Sequence, residues 1–145
     1  MNPVLTNESL YRMGDVFYPR GHVFALLANP AAARAAAASV ATVKAVGRID
    51  VVPAEDILDS LSEGAAKAGG MPSLGRERQF MLRFVELARA GCCGLLIHVD
   101  EADPEAIAAA LAGHSVELAY LYRFLVIEEL LESSKRAEDA AAGEF

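Results

Sequence analysis

Two stretches of this chain are apolar at almost every position, a pattern that leaves neither side of a strand for water. In Gly21 to Ala28, Val23, Ala25 and Leu27 fall on one face of an extended chain, and His22, Phe24, Leu26 and Ala28 on the other. In Cys92 to Val99, Cys93, Leu95, Ile97 and Val99 oppose Cys92, Gly94, Leu96 and His98. A strand apolar on both faces needs a cover on each, so both are expected at the centre of a sheet. The same signals follow in each case. Asn29-Pro30 and Asp103-Pro104 place a capping side chain before a proline at the first helical position. Ala31 to Ala38 and Ala106 to Ala112 then read as helices whose small side chains allow close approach to a sheet, and Gly113 ends the second. A further strand closes each copy. Around Gly47 to Val52, Ile49 and Val51 alternate with Arg48 and Asp50, the pattern of a half-exposed edge. In Leu118 to Ile127, Leu121, Arg123, Leu125 and Ile127 oppose Tyr120, Tyr122, Phe124 and Val126.

Between the two β-α-β copies the pattern turns helical. Ile57, Leu58 and Leu61 make a weak stripe, and Gly64 to Gly75 is rich in glycine and small residues, which predicts a flexible connection. The order G-x-x-x-x-G-K-[ST] is absent there, so a phosphate loop is not indicated. Arg76 to Ala90 predicts an amphipathic helix, with Phe80, Met81, Phe84, Val85 and Ala88 inward and Arg76, Glu77, Arg83 and Glu86 in water. Residues 1–20 read as an irregular N-terminal arm with at most a short helix near Glu8 to Met13, and 21–131 as a single domain. Glu128 to Arg136 suits a solvated helix with Glu132 and Arg136 at helical spacing, within a tail over 132–145.

Strand, helix, strand, connecting helix, strand, helix, strand is the order of a ferredoxin-like α+β sandwich, here two β-α-β repeats with an extra connecting helix. Such a fold has a four-stranded sheet with its helices on one face. The other face would then be bare, and an apolar patch of that size is seldom left in water. A homodimer through the open sheet face is therefore expected, with Phe24, Leu26, Leu96, His98, Tyr120, Tyr122 and Phe124 as interface candidates and Leu96→Glu as the change that should split it.

Composition and charge narrow the function classes. With 145 residues, 54% of them hydrophobic, the chain can bury one good core, since a domain of this size hides about two thirds of its unfolded surface. A formal charge of −7 argues against a nucleic-acid partner. From Glu128 onward six acids face only Lys135 and Arg136, so −4 of that charge sits in the last segment. Cys92 and Cys93 are adjacent and point to opposite faces of a strand, which suits buried thiols rather than a bridge or a shared metal. No apolar run approaches a membrane span of about 18 residues, and no basic-then-apolar leader opens the chain, so a cytoplasmic protein without a membrane partner is expected.

Histidines are the remaining candidates for chemistry. His22 and His98 share the parity of Phe24 and Leu96, so they converge on one sheet face. With Asp100 or Glu101 nearby they are candidate metal ligands, although they come from separate strands without H-x-x-x-H spacing. His114 falls in the loop after the second alanine-rich helix. Arg48 with Asp50 reads as edge solvation, and Arg123 among aromatics as a cation–π contact.

At these residues the chain resembles the general stress protein family of small ferredoxin-like α+β domains. An apolar strand, a D/N-P turn, an alanine-rich helix and a closing aromatic strand are shared, with the ending Val126-Ile127-Glu128-Glu129-Leu130 here. The likeness spans Gly21 to Leu131, and the first copy has Asn29-Pro30-Ala31 where an acidic start is more usual. It implies stress-linked expression, and no cofactor or established activity. Three functions remain open: a non-enzymatic, stress-associated interaction or regulatory domain; a small-ligand sensor for a nucleotide or metal, with Gly64 to Gly75 as a lid; and a small ferredoxin-like enzyme such as a monooxygenase.

Overall fold

The computed structural model describes residues 12–13, 16–17, 19–69, 76–123 and 127–132. Seven strands and four helices lie within them. In chain order they are β1 (Arg12–Met13), β2 (Val16–Phe17), β3 (His22–Leu27), α1 (Pro30–Val40), β4 (Ile49–Val52), α2 (Ala54–Gly69), α3 (Arg76–Arg89), β5 (Cys93–His98), α4 (Pro104–Leu111), β6 (Val116–Tyr122) and β7 (Ile127–Glu132). β1 and β2 pair with each other; the rest form one antiparallel five-stranded sheet in the order β4-β5-β3-β6-β7. Of the helix expected near Glu8 to Met13, only Arg12 and Met13 are described, and they are strand.

The helix starts follow from their caps. Asn29 Oδ1 accepts the Ala32 amide at 2.8 Å and Asp103 Oδ1 accepts the Glu105 amide at 3.0 Å, each before a proline at the start of the helix. β3 and β5 are central, as their doubly apolar pattern predicts, and β4 is an edge. Each face of the central strands has its own cover. Val23, Ala25, Leu27, Leu95 and Ile97 lie against Ala33, Ala36 and Val40 of α1 and Ile107 and Leu111 of α4. Phe24, Leu26, Leu96, Tyr120 and Tyr122 lie against Ile57 and Leu61 of α2 and Met81, Phe84 and Val85 of α3, with Phe17 of β2.

The sheet therefore differs from the four-stranded, one-sided expectation in two ways. It gains β7 as a fifth strand, and the chain covers both of its faces. The helices that read as mere connection supply the second layer: the Phe84 ring sits 5.0 Å from that of Phe24 and 5.9 Å from that of Tyr120. Phe24, Leu26, Leu96, Tyr120 and Tyr122 are consequently buried within one chain, at most 2% exposed, and the bare face that called for a partner subunit does not exist. Phe124 lies outside the described residues, and His98 is exposed beyond the helical cover.

Two further boundaries move. α2 continues to Gly69, so the first half of the expected flexible stretch is helical, while residues 70–75 fall outside the described chain. The long closing strand ends at Tyr122 instead of Ile127, and 127–132 pairs back along β6 as β7, where a solvated helix was expected. A register shift between Ala119 and Tyr120 sets Glu129 opposite Tyr120 and Glu132 opposite Leu118, so the two fall on one face, Glu129 exposed and Glu132 buried.

Candidate functional site

His22 opens β3 and His98 closes β5, so antiparallel pairing sets them opposite each other. The His22 amide donates to the Pro19 carbonyl at 3.1 Å and the His98 amide to the Arg48 carbonyl at 2.8 Å, so the two do not bond each other. Facing residues of this kind bring their side chains closer than any others in a sheet. The imidazoles stack with centroids 4.8 Å apart and planes at 22°. The convergence read from parity is thus met, and two neighbours complete the arrangement.

Gly47 is the first. Its amide donates to the His98 carbonyl at 2.8 Å, and a Cβ there would stand 2.9 Å from His98 Nδ1, so only glycine lets the ring lie against this backbone. Asp50 is the second. It pairs with Leu96 across β4 and β5, which puts it on the histidine face, and it is joined to Arg48 Nε at 2.9 Å. Sequence reasoning took Arg48 and Asp50 as edge solvation, and the alternation Gly47-Arg48-Ile49-Asp50 was the available sign that they share the face of His98.

His22 Nδ1 donates to the Arg20 carbonyl at 3.0 Å, which assigns the proton to Nδ1 and the lone pair to Nε2. Burial holds the His22 pKa below the usual histidine value; the Arg20 carbonyl opposes this, His98 adds to it and Asp50 opposes it. Backbone in the left-handed region gathers at the same end, at Gly21 (φ 80°), Ala45 (φ 66°) and Asp100 (φ 53°), with Ser115 (φ 58°) and Gly91 (φ 100°) elsewhere. For non-glycine residues such conformations cost about 1–3 kcal/mol and gather at functional sites. A cleft of about 370 Å³ also opens there, between Val43, Lys44 and Ala45 after α1 and Glu101, Asp103 and Ala106 at the start of α4.

Asp100 and Glu101 follow β5 into that turn rather than joining the histidines. Among the described residues, no group of three or more His, Cys, Asp or Glu side chains is arranged to hold a metal ion. His114 is not part of the pair: its Nε2 lies 2.8 Å from Ser39 Oγ and ties the loop after α4 to α1. Arg123 Nε donates to Glu128 Oε2 at 2.8 Å, an ion pair.

Cys92 and Cys93 are free and buried, one in each core layer, as their opposite parity requires. Burial raises both thiol pKa values, which makes them poor nucleophiles. A separate polar cluster went unread in the sequence. Tyr120 Oη donates to Glu132 Oε2 at 2.6 Å, and Arg83 Nη2 donates to Glu132 Oε1. It fastens α3 and β6 to the end of β7 within the α2–α3 layer.

No family model, curated protein or solved structure matches the chain. Among the described residues, no helix is long and apolar enough to cross a membrane.

Proposed function

We propose that this chain is a small regulatory domain that responds to a ligand bound at the histidine-bearing end of its sheet. The observation that carries this reading is the His22–His98 stack, a convergent polar pair at the rim of an otherwise apolar layer. Of the two stacked rings one is half-buried and one exposed, so a ligand can reach the pair from solvent. Glycine at 47 and the left-handed turns at 45 and 100 hold the main chain close around them. The ligand-sensor reading thereby moves ahead of the open-face homodimer, because α2 and α3 already fill the place of the second subunit.

The central placement of β3 and β5 supports a ferredoxin-like reading of the β3-to-β6 core, elaborated by β7 and by the α2 and α3 layer. Free, buried thiols support a reducing, cytoplasmic setting. The resemblance over Gly21 to Leu131 adds a stress-linked role.

A thermal-shift panel of nucleotides, small anions and divalent ions tests the proposal, because a ligand that binds only the folded chain raises the midpoint. At least one compound should raise the wild-type midpoint and lose that effect in His98→Gln. A ligand whose effect survives in His98→Gln would place the site elsewhere.

A further inference from the structure

We propose that two copies of this chain join edge to edge through β4, so that their sheets run on into one another. This goes beyond the ligand reading above and does not rest on it. It also differs from the face-to-face dimer expected from the sequence, since both sheet faces keep their own helical cover.

Among the described residues β4 has β5 on one side and no strand on the other. The His98 amide donates to the Arg48 carbonyl, so by alternation along β5 the amides of Leu96 and Gly94 also aim at β4. Their partners Asp50 and Val52 therefore carry the β4–β5 ladder, and Ile49 and Val51 turn amide and carbonyl to the open side. Such a row is a template for a further strand. Val51, 36% exposed, is the exposed large hydrophobic side chain among the described residues, and half-buried Ile49 shares its face.

Charge selects a second copy as the occupant. Arg48 and Asp50 share the other face of the strand, with Arg48 Nε donating to Asp50 at 2.9 Å. A two-fold axis perpendicular to the sheet at Ile49 sets Ile49 opposite the partner's Ile49, where the two exchange both backbone bonds. Arg48 then faces the partner's Asp50, and Asp50 faces the partner's Arg48, so each charge gains a second opposite neighbour. Moving the axis to Asp50 would oppose two carboxylates, and a one-residue slip would set apolar side chains against charged ones. The other edge of the sheet lacks this complementarity. β7 carries Glu128, Glu129 and Glu132 and no basic residue, so two copies paired there would set acid against acid. At β4 the matched quartet offsets the repulsion between chains of net charge −7. An edge of four residues makes a small interface, so the association is weak and concentration-dependent.

Sedimentation equilibrium of the full chain without added ligand, from micromolar to millimolar concentration, tests the assignment. The mass should rise from 15.4 kDa toward twice that value. Arg48→Asp sets acid against acid across the axis and Asp50→Arg sets base against base, so each variant alone should stay at the single-chain mass. An equimolar mixture should recover the dimer, because the acids of one variant then face the bases of the other. Circular dichroism checks that each variant folds. If Asp50→Arg does not, Val51→Pro takes its place: its ring stands on the open side, removes no bond to β5, and should hold the chain at the single-chain mass. A wild type that stays at 15.4 kDa at millimolar concentration would overturn the proposal. So would a dimer that survives in Arg48→Asp and Val51→Pro, or two folded charge variants that do not associate when mixed. None of these results bears on the ligand reading, since no ligand is present.

Discussion

Glu132 shows most plainly how a single residue's role depends on the path of the chain. In the sequence it is one acid among several in an acidic terminal segment; in the fold it is 7% exposed and accepts from Tyr120 and Arg83. A buried carboxylate is costly unless paired and hydrogen-bonded, and here it is both. Nothing in the local pattern links residues 83, 120 and 132, because their proximity arises only when β7 returns along β6. Burial, and then the bond to Glu132, raise the Tyr120 pKa above its ordinary value near 10. The folded state therefore keeps the phenol proton where the unfolded chain loses it. That stability is fully present below about pH 10 and declines as pH rises further. Tyr120→Phe should cost about 1–3 kcal/mol at neutral pH, because it leaves a buried carboxylate oxygen short of a donor. Urea titrations at pH 8 and above 10 should show the gap between wild type and variant narrowing as pH rises.

Elements were legible wherever local chemistry and hydrophobic period agreed. The two proline-led helix starts, the two doubly apolar strands and the amphipathic α3 all stand where the pattern puts them. α2 was under-read because its glycines at 64 and 69 were taken as a sign of flexible connection, although the alanines and lysine between them are good helix formers. β7 was misread because paired glutamates and paired leucines in Ile127–Glu132 follow neither a strict two-residue nor a helical period. The caps yield the element-scale expectation. Asn29→Ala removes the acceptor of the Ala32 amide and should cost about 1 kcal/mol, with Asn29→Gly costing only a few tenths. Thermal melts of the two variants against the wild type measure this, and no loss in Asn29→Ala would show that the Asn29 side chain does not cap α1.

For the whole molecule, the count of layers decides most. Both parities of β3 and β5 ask for cover, and that requirement was readable; the identity of the second cover was not. Hydrophobic stripes do not say which face a helix will take, so a partner subunit and the chain's own α2 and α3 were equivalent solutions in the sequence. The fold chooses the second, and the consequence for substitution reverses. Leu96, 1% exposed between the sheet and the α2–α3 layer, cannot accept a carboxylate, so Leu96→Glu should unfold the chain instead of yielding a folded monomer. Ile97→Ala, on the opposite layer, should cost about 2–5 kcal/mol by urea denaturation. A folded, soluble Leu96→Glu chain would show that the α2–α3 layer is not seated there.

With both sheet faces closed, the convergent polar groups that remain accessible stand at one end of the sheet. The most direct test is an amide and imidazole nitrogen NMR spectrum of the full chain, recorded before and after the addition of the compound that raises the melting midpoint most in the thermal-shift panel. The account predicts shifts centred on residues 20–22, 46–50 and 98–100, the segments that β3, β4 and β5 bring together around the histidine pair. Shifts centred on residues 39 and 114, or on the buried cysteines at 92 and 93, would contradict it.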